Sequence, residues 1–410
     1  MAEKTVDKID EQTIVSHQTY GRELELFMFH ESTPGSCFFL PHGTRIYNSI
    51  MNMLKIEYFK RGYEEVNTPN IYNSDLWKIS GHWEHYKSNM FVFNVNDVDG
   101  DGKNEVQVFS NKPMNCPGHC LIFKHKIRSY KDLPIRLADF GVLHRNELSG
   151  SLRGLTRVRK FVQDDAHIFC RIDQMQNEII NCLKFLQYVY DKLNFTSYKM
   201  ALSTRPDKYM GEPSLWETAQ DNLRAALDSL EIPYDINDKD GAFYGPKIDI
   251  MIKDSHGREN QCGTIQLDFQ LPNSFDLSYV DNNGEKLRPV IIHRAILGSF
   301  ERMIGILLEH SEGKLPFWCS PRHVLIVPIN PTVYEYCNTI REELRSHMLH
   351  VDIEDSTNTI NNKIRYGETM KYNHILVIGN KEETNKTVNH RVGKKNTEMN
   401  INDFVTHYMH

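Results

Sequence analysis

Apolar residues recur at helical spacing between residues 45 and 62, where Ile46, Ile50, Met53, Leu54 and Tyr58 share one face. The pattern predicts a helix with Thr44 as its cap and Gly62 as its stop. Residues 63–68 then read as extended and end at Pro69. Further on, Ile135, Leu137 and the run 140–143 predict a strand, and 161–169 a second. The loop between them, rich in Gly, Ser and Arg, makes the pair a long antiparallel hairpin. Helices are expected over 173–193 and 215–230, and strands over 247–253 and 264–269. A helix over 294–308 would carry Ile296, Leu297, Phe300, Ile304 and Leu307.

The segment Lys314-Leu-Pro-Phe-Trp-Cys-Ser-Pro321 sets two prolines around a turn and predicts a domain boundary. Beyond it the texture alternates: strand 323–328, helix 333–348, strand 351–354, helix 360–370, strand 374–378. That order predicts a small α/β domain with a largely buried sheet. Residues 1–19 form a polar lead-in. Asp97-Val-Asp-Gly-Asp-Gly102 resembles the start of a calcium loop, but position twelve, which should be Glu, is Val108. Flanking strands at 90–95 and 106–110 make it a hairpin turn.

The chain of 410 residues is long enough for two or three domains. Its net charge of -6 means that any RNA contact must come from local basic patches. The eight Cys include no C-x-x-C pair, which argues against a zinc ribbon or disulfide scaffold and for a cytosol-like compartment. The charged start shows no signal peptide, and no apolar run approaches the roughly 20 residues of a membrane span.

Four constellations carry candidate chemistry. Arg145, Arg153, Arg157, Arg159 and Lys160 crowd one loop with only Glu147 opposing. Such a cluster is either a polyanion site or a solvated basic loop. Cys116, in Met114-Asn-Cys-Pro-Gly-His119, is a candidate thiolate ligand or nucleophile, or else a small buried residue in a tight turn. Gln163, Asp165 and His167 would share one face of a strand. His293 would immediately precede a helix, with Arg302 about two turns into it.

Read together, these segments resemble the three motifs of class II aminoacyl-tRNA synthetases, in order: the helix and strand ending in Pro69, His144-Arg-Asn-Glu147, and the helix with Gly298 to Arg302. The match narrows to the threonyl-tRNA synthetase family. It rests on the 114–119 motif, Arg157-Val-Arg-Lys-Phe-Val-Gln-Asp-Asp-Ala-His167, Ala242-Phe-Tyr-Gly-Pro-Lys247, Gln261-Cys-Gly-Thr-Ile-Gln-Leu-Asp268 and 293–302. The resemblance runs from about residue 18 onward and implies an α+β catalytic domain over 20–317, an antiparallel sheet flanked by helices. It implies an α/β anticodon-binding domain over 318–410.

The resemblance also implies roles. Cys116, His167 and His293 would hold a zinc that reads the amino and hydroxyl groups of threonine. Asp165, Gln163, Tyr244 and Met114 would complete the threonine pocket. Arg145 would meet the α-phosphate of ATP, with Arg157 and Arg302 at the γ-phosphate end. Adenine would lie between Phe161 and Arg302, with Glu147, Gln261 and Thr264 on the adenosine, Lys247 in the pocket and Mg²⁺ on the phosphates. His82 would assist transfer to the tRNA ribose. Glu382 and Arg391 would read anticodon bases, with Lys363, Arg365, Lys394 and Lys395 on phosphates; over 321–410, 11 Lys+Arg balance 11 Asp+Glu, so individual contacts must decide. A cytoplasmic or organellar homodimer acting on tRNA(Thr) is expected, the first motif forming the interface. Family members commonly add N-terminal domains, one hydrolysing seryl-tRNA. This sequence starts at the catalytic domain, so serine misactivation without correction is expected. The rivals are a seryl or prolyl synthetase, an inactive synthetase-like RNA binder and a zinc hydrolase, the last leaving the arginine cluster unexplained.

Overall fold

The computed structural model describes residues 15–98, 104–254, 257–392 and 395–408. The lead-in before Val15, the acidic turn 99–103 and Lys394 lie outside them.

The larger sheet has eight strands, in the order Tyr234–Asn237, Lys199–Ser203, Lys247–Lys253, Glu259–Asp268, Val290–Ala295, Asp165–Cys170, Ile135–Asp139, Glu64–Glu65. All internal pairings are antiparallel, and the outermost strand at each edge is added parallel. The expected antiparallel sheet is therefore present, closed at both edges by short parallel strands.

Alternation explains what each face does. Along Asp165–Cys170, the side chains of Ala166, Ile168 and Cys170 enter the core under helices Pro41–Lys60, Met175–Lys192 and Phe300–His310. Phe169 points the other way, into a second core with Leu137 and Ile291. Period two places Asp165 and His167 on that second face. Val290–Ala295 repeats the pattern, with Val290 and Ile292 under the helices and His293 on the face of Ile291. His167 and His293 are directly opposed in the register, so their rings must meet.

Three expectations need correction. The first helix begins at Pro41, so Thr44 lies inside it; proline at the first helical position loses no hydrogen bond. Gly62, at φ +69, does end that segment. The hairpin of 135–169 is two paired segments: Ile135–Asp139 with Asp165–Cys170, and Val142–His144 with Lys160–Val162. The helix expected over 294–308 is instead a buried strand to Ala295 and a helix Phe300–His310. The β-branched run Val290, Ile291, Ile292 suits a strand paired on both sides. Gly298, at φ +73, then turns the chain, and Ser299 caps the helix.

The C-terminal sheet has five strands, in the order Val351–Ile353, Val324–Pro328, His374–Ile378, Thr387–Val392, Lys395–Asn400. Its first three are parallel, with helices Tyr334–Ser346 and Ile360–Thr369 in the connections, as the alternating texture predicts. The last two are antiparallel and polar, and the pattern did not predict them. Strands Val92–Val98 and Asn104–Asn111 pair as a hairpin, as expected. No helix among the described residues is long and apolar enough to cross a membrane.

Candidate active site

The exposed end of the His167–His293 face opens into a cleft of about 310 Å³. At its floor Cys116, His167 and His293 bring one ligand atom each within 4.8 Å of one another, all three residues buried. Cys116 opens helix Cys116–Lys124, while the histidines come from the two adjacent strands. His167 Nε2 and His293 Nδ1 stand 2.9 Å apart. The far nitrogen of His293 lies 2.9 Å from Asp268 Oδ2, the carboxylate–imidazole arrangement that orients metal ligands. Burial pushes the Cys116 thiol well above its ordinary range and holds His167 well below its own, with His293 adding to the latter. A buried thiol and two imidazoles, with carboxylates beside them, are the donor set that a soft divalent cation satisfies.

Beside the cluster Asp165 accepts a hydrogen bond from Asn115 Nδ2 at 3.0 Å, which fixes its carboxylate. Gln163 donates to Gly298 O at 2.9 Å, and Tyr244 donates to Gln266 Oε1 at 2.6 Å. Met114 also lines this end of the cleft.

The other end carries positive charge. Arg145, Arg157 and Arg302 all line it, with Glu147 paired to Arg157 at 2.8 Å. Ser299 Oγ accepts from the Arg302 backbone N–H at 3.0 Å, setting that side chain in the first helical turn, not two turns in as expected. Its guanidinium donates to Thr156 O at 2.9 Å and to Gln261 O. Burial lowers the Arg302 pKa; the neighbouring Cys262 opposes this, while Arg145 and Arg157 add to it. The Phe161 ring lies 5.0 Å from the Arg145 guanidinium, and both Phe161 and Arg302 line the cleft. Gln261 and Thr264 line the cleft and both donate to Asp249 Oδ1, at 2.5 and 3.4 Å.

Two expected residues stand behind the wall. Lys247 is bound to Asp249 at 2.6 Å and braces that carboxylate; it does not line the cleft. His82 is wholly buried, between Ser80 Oγ at 2.8 Å and Met114 Sδ at 3.0 Å, and burial drops its pKa to about 4. In the C-terminal domain Glu382 is buried, its carboxylate accepting from Gly379 N–H at 2.9 Å to cap its own short helix. Lys363 is buried too, whereas Arg365 and Lys395 are exposed. Arg391 is half-buried, and its Nε has no hydrogen-bond partner among the described residues. The residue pattern gave no role to Asn115, Gln266 or Asp268, although Gln266 and Asp268 alternate on one strand and could have been read as a facing pair.

This fold and cleft define a class II aminoacyl-tRNA synthetase. Residues 98–311 match the tRNA synthetase class II core domain (G, H, P, S and T), and 323–407 match the anticodon binding domain. The RNA binding domain of threonyl-tRNA synthetase from Cryptosporidium parvum Iowa II is 47% identical in its crystal structure. The match covers 96% of this chain and 97% of that one, with a TM-score of 0.90. Threonine–tRNA ligase 1, cytoplasmic, of Rattus norvegicus is 55% identical over 377 residues, 92% of this chain and 53% of the relative. The cytoplasmic threonine–tRNA ligase of Saccharomyces cerevisiae is 54% identical over 384 residues, 93% and 51% respectively. The chain belongs to the threonyl-tRNA synthetase family. It spans about half the length of the curated relatives it matches.

Proposed function

We propose that this chain is a threonine–tRNA ligase, activating threonine with ATP and transferring it to the 3′-terminal ribose of tRNA(Thr). The observation that carries the reading is one cleft with Cys116, His167 and His293 at one end and Arg145, Arg157 and Arg302 at the other. A catalytic domain over 20–317 would do the chemistry, and an anticodon-binding domain over 318–410 would hold the tRNA.

Cys116, His167 and His293 would hold zinc. When bound, zinc supplies a Lewis acid for the amino and hydroxyl groups of threonine, leaving an open position as substrate sites do. Asp165 accepts the hydroxyl's hydrogen bond, and Gln163, Tyr244 and Met114 close the pocket. An apolar pocket separates threonine from valine, its isostere without the hydroxyl, only about 10²-fold, whereas one that binds the hydroxyl reaches roughly 10⁴–10⁵. The threonine carboxylate attacks the α-phosphorus and pyrophosphate leaves. Arg145 stabilises the charge growing there, while Arg157 and Arg302 hold the γ-phosphate end. Phe161 and Arg302 bracket the adenine, Glu147, Gln261 and Thr264 hold the adenosine, and Mg²⁺ accompanies the phosphates. Lys247 acts from behind, through Asp249. Arg391 serves the anticodon, joined by Glu382 once its carboxylate leaves the Gly379 N–H it caps, with Arg365 and Lys395 near phosphates. A cytoplasmic homodimer is the assembly we favour, supported by apolar Ile56 and Phe59, exposed on helix Pro41–Lys60.

Amino-acid-dependent ATP–pyrophosphate exchange tests the reading. Threonine should support strong exchange, serine less, valine and proline none, and Cys116→Ala should abolish it. Folded, zinc-loaded chain that exchanges with no amino acid would instead be an inactive RNA binder; exchange with proline alone would reassign the substrate.

A further inference from the structure

The hydrogen bonds behind the metal cluster dictate where its protons sit. Asp268 Oδ2, 2.9 Å from His293 Nε2, puts the proton on that nitrogen and leaves a lone pair on Nδ1. That lone pair faces His167 Nε2 at 2.9 Å. For His167 to offer Nε2 as a ligand as well, its proton must lie on Nδ1. That nitrogen meets His119 Nδ1 at 2.8 Å. His119 must then accept at Nδ1 and carry its own proton on Nε2, which has no hydrogen-bond partner among the described residues; the Asp139 carboxylate stands 3.8 Å away, close enough to favour a proton there. Asp139 is anchored in turn by the Thr68 hydroxyl at 2.6 Å and Lys112 Nζ at 3.5 Å, and all of these groups are buried.

We infer that His119 is a positioning residue for the metal: by accepting from His167 Nδ1 it fixes which nitrogen of His167 faces the ion. The inference rests on the zinc reading above. His293 is oriented by a carboxylate directly; His167 is oriented by an imidazole, with the Asp139 carboxylate 3.8 Å beyond it. Helix Cys116–Lys124 therefore serves twice. Cys116 and His119 are three residues apart, on one helical face, so the segment that supplies the thiolate also supplies the support for a second ligand. In that tautomer both facing ring nitrogens offer lone pairs 2.9 Å apart, which a cation bound beside them would share; without one, a proton on either nitrogen bridges the same gap.

The test compares wild-type chain with His119→Leu and His119→Asn. Leucine fills the space without accepting a hydrogen bond. Asparagine places a carbonyl oxygen where Nδ1 lies. The readouts are zinc affinity by competition with a chromophoric chelator, the visible spectrum of the cobalt-substituted protein, and KM for threonine against kcat in exchange. Loss of an outer partner costs about 10–100-fold in metal affinity. His119→Leu should show that loss, an altered cobalt spectrum and a raised KM for threonine, and His119→Asn should recover most of it. Unchanged affinity and spectrum in the leucine variant would overturn the inference, as would equal losses in both variants. If the leucine variant does not fold, the cobalt spectrum of the asparagine variant decides: a wild-type spectrum upholds the coupling, a changed one rejects it. Wild-type chain that binds no zinc would sink the zinc reading itself, a result distinct from any of these.

Discussion

Arg302 is held in place before any substrate arrives. A serine cap fixes its backbone and two carbonyls fix its guanidinium, so in the proposed reaction its charge would cost no reorganisation as phosphate charge develops. Arg302→Ala should lower kcat for exchange by about 10²–10³-fold. A loss under tenfold would remove Arg302 from the transition state. The family resemblance would give His82 a different step, transfer to the tRNA ribose. Held neutral in its buried setting, it can accept a proton only once Met114 moves aside. His82→Ala should leave exchange near wild type and slow transfer to tRNA by roughly 10²-fold. Equal losses in both assays would point to a structural role instead. These side chains differ in how far the sequence revealed them. Cys116, His167 and His293 lie too far apart in sequence for any spacing rule, and only resemblance to a family joined them. Asp268 and His119 stayed silent, because an orienting partner has no motif of its own.

At the scale of elements, Asp164 shows what holds the two site strands together. It accepts from Ile296 N–H and Leu297 N–H, each at 2.8 Å, and pairs with buried Arg294 at 3.0 Å. Asp164→Asn would leave the Arg294 charge uncompensated and should cost about 3–5 kcal/mol, read as a drop in the urea midpoint. A cost below 1 kcal/mol would mean that water reaches the guanidinium. Long periodic helices such as Met175–Lys192 were legible, since three or more turns repeat the signal. Val290–Ala295 was misread because a short apolar run is equally a buried strand or a helix segment. The first half of Glu259–Asp268 was missed because Glu259, Asn260 and Gln261 are polar, and Gln261 faces a cleft instead of a core. The order of the eight strands depends on contacts between distant segments, which no local pattern records.

At the scale of the molecule, the two parts meet at a turn tied down by an imidazole. His323 Nδ1 accepts from His350 N–H at 3.0 Å, and Nε2 lies 3.1 Å from Phe317 O in the linker turn. The first bond requires the neutral ring, whereas Nε2–H can donate to Phe317 O in either state; burial, with His350 nearby, drops the pKa to about 4. His374, half-buried beside His390, is also held at about 4 by desolvation and by His390. The unfolded chain binds these protons from about pH 6.5 downward. The folded chain resists until about pH 4, so stability is lost as pH falls through that window, at about 1.4 kcal/mol per pH unit for each ring. Melting at stepped pH should fall more steeply in wild type than in His323→Gln; parallel curves would refute the assignment. One earlier feature constrains the whole chain differently. Asp164 locks the scaffold, Asp165 faces the cleft, Ala166 enters the core and His167 joins the cluster. Structure and chemistry are thus written in alternate letters of one strand. A single-residue insertion or deletion there would exchange every role at once, so this stretch can change by substitution but not in length.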